Sequence, residues 1–413
     1  MEIKKVLLIS YHFPPISGSS GYLRALKFAT YLPDFGYTPI ILTANPASYD
    51  DLDERMLEKL PGNLNIRRAF AFNLKKHLSI FGKYPGFIAL PDQFASWIPF
   101  AVMQGIKLIK KNRIDLIFST YPVASAHLAG LILNKMTKVP WIVDFRDPMW
   151  DDYSVFGSSQ MRVRKFIEKK AVQNADYIIC TTDSIRRLIL ERFDTLSKNR
   201  ITTIPNGYDE NDFTNVNFNV GQTGPIKFIH TGLLERIDRD PFPFFEGVKL
   251  FIKNEHANGA NFHIEFYGSG SENMYREKVT ALELQDIIKI RERIPYGEIL
   301  NAMVAADALL LFQGPTCNTQ IPAKFYEYLR IGKPILALTT SNGETGKLVS
   351  QTNSGEVVDI ENPEAIANKL EEWYQKVRKK KALPSAAKNV AEKYSRRAQT
   401  SDLAKCFDLV LQS

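Results

Sequence analysis

The 413-residue sequence predicts an α/β protein made of two successive doubly wound, Rossmann-like parallel sheets that face each other across a cleft. Short apolar runs rich in Val, Ile and Phe alternate with longer helical patterns, as βαβ units require. The runs are apolar throughout rather than at every second residue, which fits strands covered by helices on both faces. The series stops in a polar, Asn-rich stretch and then restarts, so one sheet is followed by another.

The first series is Val6–Ser10, Pro39–Ala44, Asp115–Thr120, Trp141–Phe145, Tyr177–Thr182 and Ile201–Asn206. It defines a first domain over residues 1–210, followed by a linker over 211–224. The second series is Ile226–Gly232, Phe262–Gly268, Ile287–Ile294, Ala306–Phe312 and Pro334–Thr340, in a domain over 225–382. A helix is expected from about Pro363 to Lys381, a break at Pro384, and a helical segment over 383–413 packing back across the domains. In open parallel sheets, ligands bind beyond the carboxyl ends of the strands, where helix N-termini meet anions. The residues just after each strand are therefore the candidates for function.

Composition narrows the classes. At 45% hydrophobic and 24% charged, the chain is neither disordered nor fibrous. The net charge of +8 is largely local, with 10 basic residues between Lys369 and Arg397 against three glutamates. Such clusters suit a phosphorylated ligand or an anionic membrane surface, and nucleic acid ranks last because no nucleic-acid motif accompanies them. Cys180, Cys317 and Cys406 are odd in number and far apart, which argues against a disulfide framework or a zinc cluster and for a cytoplasmic location. No run approaches the ~18 apolar residues of a spanning helix, so membrane contact is expected to be peripheral.

Four stretches carry chemistry. The loop Tyr11 to Gly21 joins a strand to a helix beginning near Tyr22; Gly18 and Gly21 let backbone approach a ligand, and His12 is an acceptor-side candidate. The loop matches neither GxGxxG nor a P-loop, against a dinucleotide or ATP. Asp144 and Arg146 close a buried strand and should share one side of it, as candidates for cleft chemistry or as a loop-fixing ion pair. Gly232 ends a strand and precedes Arg236 and Arg239, which suit a diphosphate unless Glu235, Asp238 and Asp240 pair with them. The fourth stretch is Asn318, Thr319 and Gln320 leading into a short helix, with Pro322 at its first position and Gly332 and Pro334 ending it. Lys324 and Glu327 lie three apart on one face, either as a surface ion pair or as ligands for a phosphate and a sugar diol.

The stretch Pro322 to Leu329 with Arg330 to Leu338, the segment Pro205-Asn206-Gly207-Tyr208-Asp209 and the Gly18 loop resemble GT-B glycosyltransferases of the family 4 type. The resemblance runs from Ile3 to about Tyr374. The pieces starting at Pro91, Ser119 and Ile142 are similar to a bacterial subgroup that builds envelope polysaccharides. It implies a nucleotide-diphosphate sugar donor, UDP- or GDP-linked, held mainly by the C-terminal domain. It further implies a saccharide or lipid-linked acceptor at the N-terminal domain, and transfer with retention without an essential metal or other cofactor. By residue, it implies Glu327 on the donor ribose, Arg239 with Arg236 or Lys324 on the diphosphate, and Gly18 near phosphates and acceptor. Two departures stand out: Thr319 occupies the place of a family glutamate, leaving Asn318 or Gln320 to meet the donor sugar. Thr120 and Tyr121 stand where many members carry a histidine, with His127 a turn or two later, so Tyr121 and His127 join His12 as acceptor-side candidates, His127 alternatively as a structural histidine. An epimerase of the same fold and a non-catalytic nucleotide-sugar-binding subunit are the alternatives.

Overall fold

The computed structural model describes residues 3–17, 20–58, 60–72, 90–151, 156–219, 224–254 and 257–412. The chain divides into two compact units, residues 1–206 with 396–413, and residues 207–395.

In the first unit, seven strands form one parallel sheet: β1 (Lys4–Ile9), β2 (Tyr37–Ala44), β3 (Asn65–Ala69), β4 (Leu116–Thr120), β5 (Trp141–Phe145), β6 (Tyr177–Cys180) and β7 (Ile201–Thr203). Their order is β3-β2-β1-β4-β5-β6-β7, so the strand order reverses between β1 and β4 and opens a crevice beyond their carboxyl ends. Successive side chains feed opposite layers. Leu7 and Ile9 enter one core cluster, with Trp97 and Val143, while Val6 and Leu8 enter the other, with Phe28 and Phe118. Both faces are buried, which is why these strands read as unbroken apolar runs.

The second unit repeats the plan with six strands: β8 (Ile226–Thr231), β9 (Phe262–Tyr267), β10 (Ile288–Arg291), β11 (Ala308–Phe312), β12 (Ile335–Leu338) and β13 (Gly355–Val358). Their order is β10-β9-β8-β11-β12-β13, and the reversal falls between β8 and β11. The Gly232 turn and the loop before Pro322 thus open into one crevice.

Several boundaries differ from the sequence reading, for physical reasons. β3 and β13 escaped it because both are edge strands with half-exposed residues and no continuous apolar run. Residues 211–219, read as linker from their polarity, belong to the second unit, where Phe213 is buried with Tyr208. The C-terminal segment is shared: Tyr394 packs 5.6 Å from Tyr326 in the second unit, whereas the helix Arg396–Gln412 returns to the first. There Phe407 lies 5.1 Å from Tyr37 and 5.7 Å from Phe118. Pro322 stands one residue before its helix, Ala323–Ile331, extended at φ −65° and ψ 141°.

Candidate active site

In the second unit, β8 ends at Thr231 and the chain turns at Gly232, whose φ of +87° is a conformation that L side chains rarely adopt. A Cβ there would lie 3.2 Å from the Lys324 ammonium. Lys324 comes from the first turn of the helix Ala323–Ile331 and donates to the Thr231 carbonyl at 2.6 Å. Its amine is therefore not in the surface ion pair that its spacing from Glu327 allowed. Burial, and then the positive charge of Arg239, push Lys324 down to about 7, against the pull of Glu327.

Arg239 has no side-chain hydrogen bond or ion pair among the described residues, and its Nε is buried. Arg236 takes the other course. It pairs with Asp240 at 3.1 Å and lies 4.3 Å over the Phe242 ring, so of the two arginines only Arg239 keeps its charge for a ligand. Asp238 is held by the Thr316 hydroxyl. Behind Lys324, the buried His230 places Nδ1 2.9 Å from the Leu310 carbonyl and Nε2 3.1 Å from the Gly232 carbonyl. Burial, then Lys324, hold its pKa well below the usual value, so the ring is neutral and buttresses the turn.

The loop after β11 is fixed by side chains that the sequence reading passed over. Gln313 is buried and donates to the carbonyls of Cys317 (2.7 Å) and Gln320 (3.0 Å). Asn318 accepts from the Thr340 hydroxyl at 2.6 Å, which commits its amide oxygen to the loop. The Gln320 side-chain amide has no hydrogen bond among the described residues, so of the two amides it is the one left to meet a ligand. Thr319 lies half-buried between them. Glu327, one turn beyond Lys324, accepts from the Tyr296 hydroxyl at 2.8 Å. Burial, then Glu327, Asp212 and Asp209, raise the Tyr296 phenol and keep it protonated.

The first unit's crevice departs further from expectation. Asp144 is fully buried and both its oxygens are taken: Arg24 donates to each at 2.9 Å, and Thr120 donates to one at 2.7 Å. Arg24 also donates to the carbonyls of Ile204 and Pro205, so the pair ties β5 to the chain leaving β7. Asp144 is thereby corrected from a catalytic candidate to a structural ion pair, and its partner is Arg24, not Arg146. Arg146 donates to the carbonyls of Gly21 and Tyr121, which fixes the end of the first loop. Asp147, half-buried beside it, makes no hydrogen bond or ion pair among the described residues, and burial raises its carboxyl against the pull of Arg146.

His127 is fully buried, hydrogen-bonded through Nδ1 to Ser119 at 2.9 Å and pushed down to about 3 by burial; it is structural, not an acceptor group. Tyr121 is buried with its hydroxyl accepting from Arg164 at 2.8 Å, which likewise removes it from the acceptor side. His12 is half-buried and lowered to about 4 by burial and by Arg146, with Nδ1 unpartnered. Gly18 lies outside the described residues. Among those residues, no cluster of three or more His, Cys, Asp or Glu is spaced to hold a metal.

Comparison with known proteins fits these two crevices. Residues 24–207 match the model described as a glycosyl transferase 4-like domain, and residues 245–390 match that of glycosyl transferases group 1. The chain belongs to the GT-B glycosyltransferases of the family 4 type. An uncharacterized glycosyltransferase of Methanocaldococcus jannaschii is 23% identical to this glycosyltransferase over 406 residues, 96% of this chain and 95% of that one. Among solved structures, sucrose-phosphate synthase from Thermosynechococcus elongatus superposes with a TM-score of 0.65 at 15% identity, covering 99% of each chain. Anabaena HepE in complex with UDP gives 0.68 at 15% identity, covering 98% of the glycosyltransferase and 99% of that chain.

Proposed function

We propose that this glycosyltransferase transfers a sugar from a UDP- or GDP-linked donor to a saccharide or lipid-linked saccharide, with retention of configuration and without a divalent metal, in bacterial cell-surface polysaccharide synthesis. The observation that carries the donor assignment is the grouping of Lys324 and Arg239, two cations with no bonded acid, beside the positive-φ turn at Gly232. Solved neighbours bound to UDP and to UDP-glucose support a nucleotide sugar as the ligand.

Sugar transfer passes through an oxocarbenium-like state in which the leaving diphosphate gains charge, so cations on that diphosphate act more strongly in the transition state than in the ground state. Lys324 and Arg239 supply those cations, with the free amides at the start of the helix Ala323–Ile331. Glu327 accepts from the ribose hydroxyls, and Gln320 meets the donor sugar in place of the missing acid at Thr319. In the first unit, Arg146, Asp147 and His12 form the polar wall for the acceptor.

A peripheral anionic membrane surface suits the other face of the first unit. The helices Trp97–Asn112 and Ala124–Thr137 contain no acidic residue, while Lys107, Lys110, Lys111 and Lys135 are exposed. Between them runs an apolar groove of about 570 Å³ lined by Ile98, Val102, Met103, Ile106 and Ile132. On the helix Ser158–Asn174, Arg162 and Lys165 are exposed as well, whereas Arg164 is buried on Tyr121. No helix among the described residues is long and apolar enough to cross a membrane.

The test is release of nucleoside diphosphate from a panel of nucleotide sugars, with and without saccharide acceptors and with EDTA. Acceptor-dependent release that survives chelation supports the proposal. Sugar rearrangement without acceptor would point to an epimerase, and donor binding with no turnover to a binding subunit, the reading that Thr319 favours.

A further inference from the structure

We propose that Tyr296 is a positioning residue that orients the Glu327 carboxylate for a ribonucleoside diol, and so sets the preference for ribonucleotides over deoxyribonucleotides. The inference rests on the donor reading above and adds to it a residue that takes no part in the diphosphate contacts.

Tyr296 is the first residue of the helix Tyr296–Val304, directly after Pro295, whose ring fixes the backbone φ at −54°. The side chain therefore leaves a stiff point of the chain. Its residue surface is 46% exposed, yet its hydroxyl is spent on Glu327 Oε1 at 2.8 Å. A half-exposed tyrosine gains little by placing its hydroxyl against a carboxylate rather than in water. The contact is better explained by what it does to the acid.

Glu327 sits near the head of a helix, with three rotatable side-chain bonds to fix before it can hold two ligand hydroxyls at once. An ionised carboxylate offers about four lone-pair directions. The Tyr296 hydroxyl takes one of them, on Oε1, and sets the carboxylate plane. Part of the entropy cost of binding a diol is thus met before the ligand arrives. This advantage reaches only ligands that use the carboxylate, and a nucleotide lacking a ribose hydroxyl forfeits it.

The experiment is titration calorimetry of UDP and GDP, each against its 2′-deoxy counterpart, with the full chain, Tyr296→Phe, Glu327→Gln and the double variant. Melting temperatures are recorded to verify folding. For the base that binds, Tyr296→Phe should weaken the ribonucleotide about five- to tenfold, the cost of ordering roughly one carboxylate side chain that the hydroxyl otherwise meets in advance. The 2′-deoxynucleotide should stay within twofold, and the double variant should be no weaker than Glu327→Gln alone. Equal losses for both nucleotides, additive losses in the double variant, no change, or tighter binding by Tyr296→Phe would each overturn the inference while leaving the donor assignment in place. A folded full chain that binds neither ribonucleotide would overturn the donor assignment, and this inference with it.

Discussion

Nucleotide-sugar affinity should fall as the pH rises through 7, because Lys324 must carry its charge to hold a diphosphate. Burial and Arg239 lower the ammonium from 10.5 to about 7 in the free protein. At pH 6 about nine-tenths of the chains carry the charged form, and at pH 8.5 about 3% do. If only that form binds the diphosphate, Kd rises about 30-fold over this window, or about 2 kcal/mol. The diphosphate of a nucleotide sugar does not titrate there, so the slope reports the protein. The sign for stability is opposite. The folded pKa lies below the unfolded one, so between about 7 and 10.5 the unfolded chain binds more protons and stability rises with pH. Below 7 the cost of the buried charge is fully present. Calorimetric titration for the affinity and melting curves for the stability, each at several pH values with Lys324→Met as control, check the two signs. A Kd constant within twofold over the window, or the same slope in Lys324→Met, would refute the reasoning.

Three further outcomes follow from the same geometry. Gly232→Ala puts a side chain at φ +87° and 3.2 Å from Lys324, so stability should drop by about 1–2 kcal/mol; a melting curve reads this directly. Asp144→Asn leaves Arg24 buried without its anion and should cost about 3–5 kcal/mol, a melting point lower by about 10 °C. His127→Gln should lower stability, since the ring is buried on Ser119, while nucleotide Kd stays unchanged; calorimetry beside a melting curve separates the two.

The sequence disclosed the fold well because each central strand is buried on both faces and declares itself as an apolar run, Trp141–Phe145 with the same limits in both readings. It missed β3 and β13, where an edge position removes that signal. The placement of Lys324 and Glu327 on one short helix was legible, since helix spacing fixes which residues share a face. What spacing could not supply was partner choice across the fold. Asp144 lies 120 residues from Arg24, and nothing local says that this arginine, and not Arg146, neutralises it. Tyr296 was invisible for the same reason, since it acts on a residue of another helix, whereas Gln313 holds its own loop in a conformation that no spacing rule reads. By spacing alone Arg236 and Arg239 looked alike, the resemblance favoured Arg239, and the turn geometry shows that Asp240 takes Arg236.

The most direct test of the account is calorimetric titration of UDP- and GDP-linked sugars into the full chain and into Glu327→Ala, each with magnesium and with EDTA. The account predicts saturable binding selective for one base, weakened at least tenfold by the substitution and unchanged by chelation. Binding that requires magnesium, or that Glu327→Ala leaves intact, would contradict it.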